Sequence, residues 1–451
     1  MPDEAINPPI PEPTPNGRQR VLWLSTTAFT LMFNVWLMLG VLGISLRREL
    51  GLSDAQLEWL MATSILSGAI LRLNFGIWAD RFGGRKTMVA LLFMTAVPTY
   101  LFSLATGYTG LVVCAALFGL AGNAFAVGIA WNSAWFPPQT KGTALGVFGA
   151  GNVGAAGTKL LVILVPSVLT LVPAEGWLGG WLPGGWRAVP AFYSLCLIAM
   201  ALLILALAPT CDPRPVRGRP IRQIVAPLRD VRVWRFSLYY VVVFGAYVAL
   251  SGWLPKFYID TWGISLNEAA LYTATFIFPA SLLRPLGGWL SDRYGPRVIT
   301  YGVFIGMTAM LFLLAVPAGD YVVISYRTTP ATFAALIFIM GCCMGIGKAS
   351  VFKYIPNYFP DDVGAVGGMV GMLGALGGFL LPPTLGALGR ATGTPQMAFV
   401  ALFVLTAGCL AWLHVTVLRM RAAAATPGES LVPVSAVKFG PVAAEVPNEG
   451  S

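Results

Sequence analysis

The sequence is poor in charge: Asp, Glu, Lys and Arg make up 11% of its 451 residues, against about a quarter in a water-soluble domain. With 57% hydrophobic residues, a soluble globular chain is excluded. Histidine is nearly absent. The one His414 lies near the end of the last apolar run, so neither a histidine metal site nor a histidine proton relay is expected. The six cysteines lack CxxC or His spacing and read as small core residues. All 19 acidic residues fall at helix ends, in loops or in the tails, which leaves the middle of every apolar run without a carboxylate. There is no nucleotide loop and no serine, cysteine or metal constellation. The chain therefore reads as no enzyme, with no cofactor and no metal. No stretch remains for the folded cytoplasmic module that an anion sensor, the rival of another class, would need.

What is present is apolar length. A membrane span needs roughly 20 apolar residues, and the sequence supplies twelve such runs, near 21–45, 55–79, 86–106, 109–131, 142–166, 188–209, 234–255, 267–290, 298–317, 331–353, 363–387 and 396–419. The first is too long, and lacks the small-residue cleavage site, for a removable signal peptide. The formal charge of +10 sits in short loops beside these runs, where it orients a membrane protein rather than binding nucleic acid. Alternate loops are basic, and the basic ones include both termini and the middle loop with Arg214, Arg217, Arg219, Arg222 and Arg229. The positive-inside rule places these in the cytoplasm.

The expected organisation is a cytoplasmic tail 1–20, a six-helix bundle 21–209, a basic linker 210–233, a second bundle 234–420 and a disordered tail 421–451. The two bundles repeat. Leu71 to Arg85 aligns without gaps on Leu283 to Arg297 at a constant offset of 212. Two six-helix halves in parallel orientation describe an all-α transporter whose site lies between the halves.

Arg72 and Arg284 each stand eight residues before the aspartate of the repeated loop, roughly 12 Å into a hydrocarbon core about 30 Å thick. An arginine at that depth costs about 2.5–3.5 kcal/mol on insertion scales, so mirrored arginines must face a polar cavity. No carboxylate can be placed beside them, and the missing counter-charge is then the substrate. Guanidinium offers parallel N–H donors in one plane and suits a small planar oxyanion. Nitrate and nitrite fit, and bicarbonate and formate fit the same electrostatics. Asn152 is the one amide in the glycine stripe of the fifth span and can donate N–H to an anion. Lys159 and Lys348 lie inside spans. With no membrane carboxylate to nominate, they are the candidate proton carriers, their basicity lowered by burial and the arginines. The loops with Asp80, Arg81, Arg85 and with Asp292, Arg293, Arg297 read as latches, charge pairs between helix ends that form and break as the halves rock. Pro255, Pro279, Pro356 and Pro382-Pro383 are expected to kink or end their spans.

The repeated element, Gly76 to Arg85 and Gly288 to Arg297, resembles the signature loop of the major facilitator superfamily from about residue 20 to 420. The runs Gly149 to Gly157 and Gly364 to Gly378 resemble the two nitrate signatures of its nitrate/nitrite porter family. The resemblance implies the major facilitator fold and carriage of nitrate, with nitrite as a second substrate. In the seventh span Tyr240 would donate to the anion while Phe244 covers one flat face of it, and Phe125 in the fourth span would be the opposing cover. The Thr158-Lys159 pair and the run Gly347 to Tyr354 resemble the proton-linked importer branch more than the nitrate/nitrite exchangers. The expectation is a nitrate/proton symporter of the bacterial plasma membrane acting as a monomer in the lipid bilayer, with nitrate/nitrite antiport as the alternative.

Overall fold

The computed structural model describes residues 14–157, 173, 176–213, 219–316, 319–320, 325–326, 329–394 and 396–425. They are nearly all helical, apart from a two-stranded hairpin pairing Gly319–Asp320 with Ser325–Tyr326. Nine helices among them are long and apolar enough to cross a membrane. The other three expected runs are also helical but interrupted or only partly described. The first is Pro15–Leu37 and Leu39–Leu50, the fifth begins with Lys141–Gly149, and the eighth is Leu266–Leu282 and Arg284–Tyr294. Three helices start on reciprocal side-chain caps, Ser53 with Gln56, Ser265 with Glu268 and Thr329 with Thr332, each satisfying backbone N–H groups that the helix leaves open. The helices run through Pro255, Pro279, Pro356 and Pro382-Pro383 without ending. Of the two expectations, ending a span is not met at any of them, because packed neighbours stabilise an apolar helix against one lost hydrogen bond.

The spans break elsewhere, and symmetrically. The second stops at Leu71 (φ −85°, ψ 0°) and restarts as Arg72–Phe82, while the eighth stops at Leu283 (φ −83°, ψ 1°) and restarts as Arg284–Tyr294. Each mid-span arginine is thus the first residue of a half-helix, the end at which the backbone dipole favours an anion. Both half-helices finish on a glycine at positive φ, Gly83 (94°) and Gly295 (84°), a turn that side chains with a Cβ rarely adopt. The fourth and fifth spans tighten into 3-10 turns at Gly119–Asn123 and Ala150–Val153, and the seventh widens into a π turn at Val241–Gly245. Such irregularities often mark functional segments.

Glycine seams join the halves. A Cβ on Gly364 would meet Gly76 and Asp80, and one on Gly368 would meet Arg72 and Leu73, so the eleventh span lies backbone to backbone on the second. In the same way Gly146 faces Arg284 and Pro285, and Gly288 faces Gly142 and Thr143, joining the eighth span to the fifth. Close approach through small residues is how helices gain contact where lipid removes the hydrophobic drive.

Candidate substrate site

The site sits between these seams. Arg72, Arg284, Tyr240, Phe244 and Lys348 are fully buried and Phe125 is 1% exposed. The structure brings these six together. The Arg72 guanidinium carbon lies 5.6 Å from the Phe125 ring centre and 5.4 Å from that of Phe244, and Arg284 lies 5.3 Å from Phe125. The Phe125 and Phe244 rings are within 10° of parallel, with centres 6.2 Å apart. A flat guest in contact with both ring faces needs about 7 Å between them, and planes lie no further apart than their centres, so the rings must separate by about 1 Å or more to admit one. Tetrahedral oxyanions, whose oxygens leave the plane, would need considerably more.

The two arginines differ in how far they are satisfied. Arg72 donates through Nε to the Gly68 carbonyl and through Nη1 to that of Gly371 in the other half, both at 3.0 Å, which leaves Nη2 without a partner. Arg284 makes no hydrogen bond from Nε, Nη1 or Nη2, although the Tyr240 hydroxyl lies within its electrostatic reach. Neither arginine, nor Lys348, is paired with a carboxylate among the described residues. Buried cations without a partner are costly, and since both guanidinium carbons lie within 6 Å of the Phe125 ring centre, one anion beside that ring would neutralise both. Lys348 Nζ donates to the Ala280 carbonyl at 3.0 Å and stands 3.0 Å from the Tyr247 ring centre. Asn152 is buried in its 3-10 turn with both amide atoms unbonded. It lies three residues beyond Gly149, whose Cβ position abuts the Arg284 guanidinium. Lys159 lies outside the described residues.

Sequence reasoning missed several neighbours. Trp36 holds the Arg72 guanidinium over its ring at 5.0 Å, and Phe352 meets Tyr240 edge to face at 4.5 Å. Phe352 lies four residues after Lys348, one helical turn along, and that spacing could have found it. Trp36 carries no such signal. Among the described residues no cluster of three His, Cys, Asp or Glu could hold a metal.

The latch residues close the seams in an unexpected way. Asp80 accepts from the Gly364 backbone at 2.8 Å, capping the eleventh helix from the other half. Asp292 accepts from the Gly142 and Thr143 backbones at 3.1 and 2.7 Å, capping the fifth, and pairs with Lys353 at 2.5 Å. Lys353 also donates to the Pro138 carbonyl across the seam. The arginines stay within their own halves. Arg85 reaches the Leu205 carbonyl, Arg297 reaches Tyr358, and Arg81 and Arg293 lie over neighbouring rings. An aspartate at a helix N-terminus meets both free N–H groups and the positive end of the dipole, so it closes the seam without an arginine partner.

A helical membrane protein built from two repeated halves, with an unpaired cationic site buried between them, has the design of a secondary transporter. The chain belongs to the Major Facilitator Superfamily, whose family model matches residues 24–261 and 257–444, and within it to the nitrate/nitrite porters of the NarK type. It is a transporter and not an enzyme. It is 55% identical over 412 residues to a Thermus thermophilus protein named as a probable nitrate/nitrite antiporter, NarK1, across 89% of this chain and 92% of that one. A nitrite extrusion protein of Bacillus subtilis is 28% identical over 86% of this chain and 91% of its own length. Among solved structures, a variant of the Escherichia coli fucose:proton symporter FucP superimposes with a TM-score of 0.65 at 16% identity, over 86% of this chain and 98% of that one, a likeness of fold.

Proposed function

We propose that the protein carries nitrate, and nitrite, across the bacterial plasma membrane by alternating access, binding the anion between Arg72 and Arg284. One observation carries the reading: two guanidinium groups from mirrored half-helices, with donors to spare and no carboxylate partner among the described residues, both lie against the ring of Phe125, which is near-parallel to that of Phe244. Tyr240 and Asn152 supply further donors. The relatives named for nitrate and nitrite support the choice of substrate over bicarbonate and formate. In this reading residues 21–209 and 234–420 are the rocking halves of a monomer, 210–233 links them, and the signature loops and both termini face the cytoplasm.

Proton symport is the coupling we favour, because among the described residues Lys348 sits beside the site with a carbonyl and the rings of Tyr247 and Phe244, and no carboxylate, to hold its charge. Loading an anion would favour its protonated form and so tie proton to substrate. Nitrate/nitrite exchange is the second reading, favoured by the Thermus relative's name as a probable nitrate/nitrite antiporter. Counterflow of labelled nitrate in proteoliposomes, with nitrite, chloride, bicarbonate and formate as competitors, tests the substrate, and net nitrate uptake into nitrate-free liposomes that hold a pH dye tests the coupling. Competition by nitrite alone, with acidification that follows nitrate entry, is the expected result. Preference for formate refutes the substrate, and nitrate movement without a proton flux refutes symport.

A further inference from the structure

The signature-loop end of the C-terminal half contains a cleft that substrate binding leaves unused. It lies between the seventh, ninth, tenth and twelfth spans, and its lining includes Arg235, Tyr239, Arg297, Tyr354, Tyr358 and Met420. Its free volume is about 10 Å³, room for one water-sized atom. Neither arginine is paired with a carboxylate among the described residues. Arg235 donates from Nη1 to Thr416 Oγ1 at 2.9 Å, and its Nε is buried without a partner. Arg297 Nη2 donates only to weak neutral acceptors, the Tyr358 hydroxyl and Met420 Sδ, each at 3.4 Å. Tyr239 is fully buried, and its hydroxyl, like that of Tyr354, has no hydrogen-bond partner. Two uncompensated cations and an unspent buried donor around a one-atom hole form a donor set for a single oxygen of an anion.

The surroundings indicate which anion. The ninth and twelfth spans, Pro296–Ala315 and Met397–Ala422, are only 33% buried within the protein and so form an outer wall against lipid. Beside the cleft they expose Val298, Val415 and Leu418, at 57%, 45% and 49%. Arg297 is the second residue of its helix and Arg235 lies in the second turn of Val231–Tyr240. The cleft is therefore at the depth where hydrocarbon gives way to headgroups, and basic pockets between spans at that level suit anionic headgroups. We propose that this cleft binds the phosphate of an anionic phospholipid, with one non-ester oxygen seated among Arg235, Arg297 and Tyr239 and an acyl chain along the exposed apolar wall. Because Tyr239 adjoins Tyr240, a bound headgroup steadies the helix that presents Tyr240 and Phe244 to the substrate.

Native mass spectrometry of the full-length protein, titrated with phosphatidylglycerol, phosphatidylcholine or inorganic phosphate, tests the proposal. Phosphatidylglycerol is expected to bind more tightly than phosphatidylcholine, and Arg235→Gln to weaken it about tenfold, the loss of one charge-assisted hydrogen bond. Tyr239→Phe removes only a hydroxyl and should weaken binding in the same direction with an unchanged melting temperature, so the test survives if Arg235→Gln fails to fold. Inorganic phosphate that displaces the lipid and shares its sensitivity to Tyr239→Phe would keep the phosphate site and assign it to the free ion. Equal binding of the two lipids, or wild-type phosphatidylglycerol binding by the folded variants, overturns the proposal.

Discussion

Replacing Gly149 by alanine adds one methyl group and removes no contact, yet it should damage substrate binding more than most larger changes. The Cβ of that alanine would fall 2.5 Å from Arg284 Cζ and 2.6 Å from Nη2, whereas ordinary contact begins near about 3.5 Å. The guanidinium must therefore retreat by about 1 Å. A hydrogen bond of about 2.8 Å stretched by that amount is no longer a bond, and losing one charge-assisted bond to the anion costs about 1.5–3 kcal/mol. The half-saturation concentration of labelled-nitrate counterflow in proteoliposomes should rise about 10- to 150-fold. Gly302 is the control, because a Cβ there meets nothing within 4 Å, and Gly302→Ala should leave half-saturation unchanged. A folded Gly149→Ala protein with wild-type half-saturation would refute the placement of Arg284 against the fifth span.

Lys348→Met should abolish proton movement with nitrate while nitrate exchange persists, read with a pH dye against isotope flux. Unchanged proton movement would remove Lys348 from coupling. Asp292→Asn withdraws a charge from Lys353 and from three donors of the opposite half. Spin labels at the exposed Gln139 and Tyr294 should report a larger share of molecules with that end open, shifted by about 1–3 kcal/mol. Asp212, in the linker, accepts from the indole N–H groups of Trp131 and Trp135 and from the Arg85 backbone. Burial holds its carboxyl above the ordinary value of 3.8. The folded state then binds a proton that the unfolded chain has released, so stability falls as pH rises from 3.8 toward the raised value and is level above it. Melting curves should show this slope in the wild type and lose it in Asp212→Asn.

The arginines were legible because charge is so rare in the apolar runs that a 212-residue repeat placing Arg72 on Arg284 stands out. The covering rings were not legible from the residues: with 26 Phe and 14 Tyr in the chain, only resemblance singled out Phe125, Tyr240 and Phe244. The breaks at Leu71 and Leu283 left almost no trace, since a single non-helical turn follows from packing between spans rather than from local preference. Pro285, just after Arg284, was the one local hint, and nothing equivalent follows Arg72. The partners across the seam were not legible for a related reason. Spacing shows that Asp80 and Asp292 end their helices, but which backbone N–H groups they cap depends on where the opposite half docks.

The central claim is that Arg72 and Arg284 lack a counter-charge that a planar anion supplies. Calorimetric titration of nitrate into the purified wild type, Arg72→Gln and Arg284→Gln tests it most directly. Saturable binding in the wild type that sulfate does not compete, with no detectable binding in either variant, is the predicted result. Nitrate affinity within about twofold of wild type in either folded variant, a difference of about 0.4 kcal/mol, would contradict it.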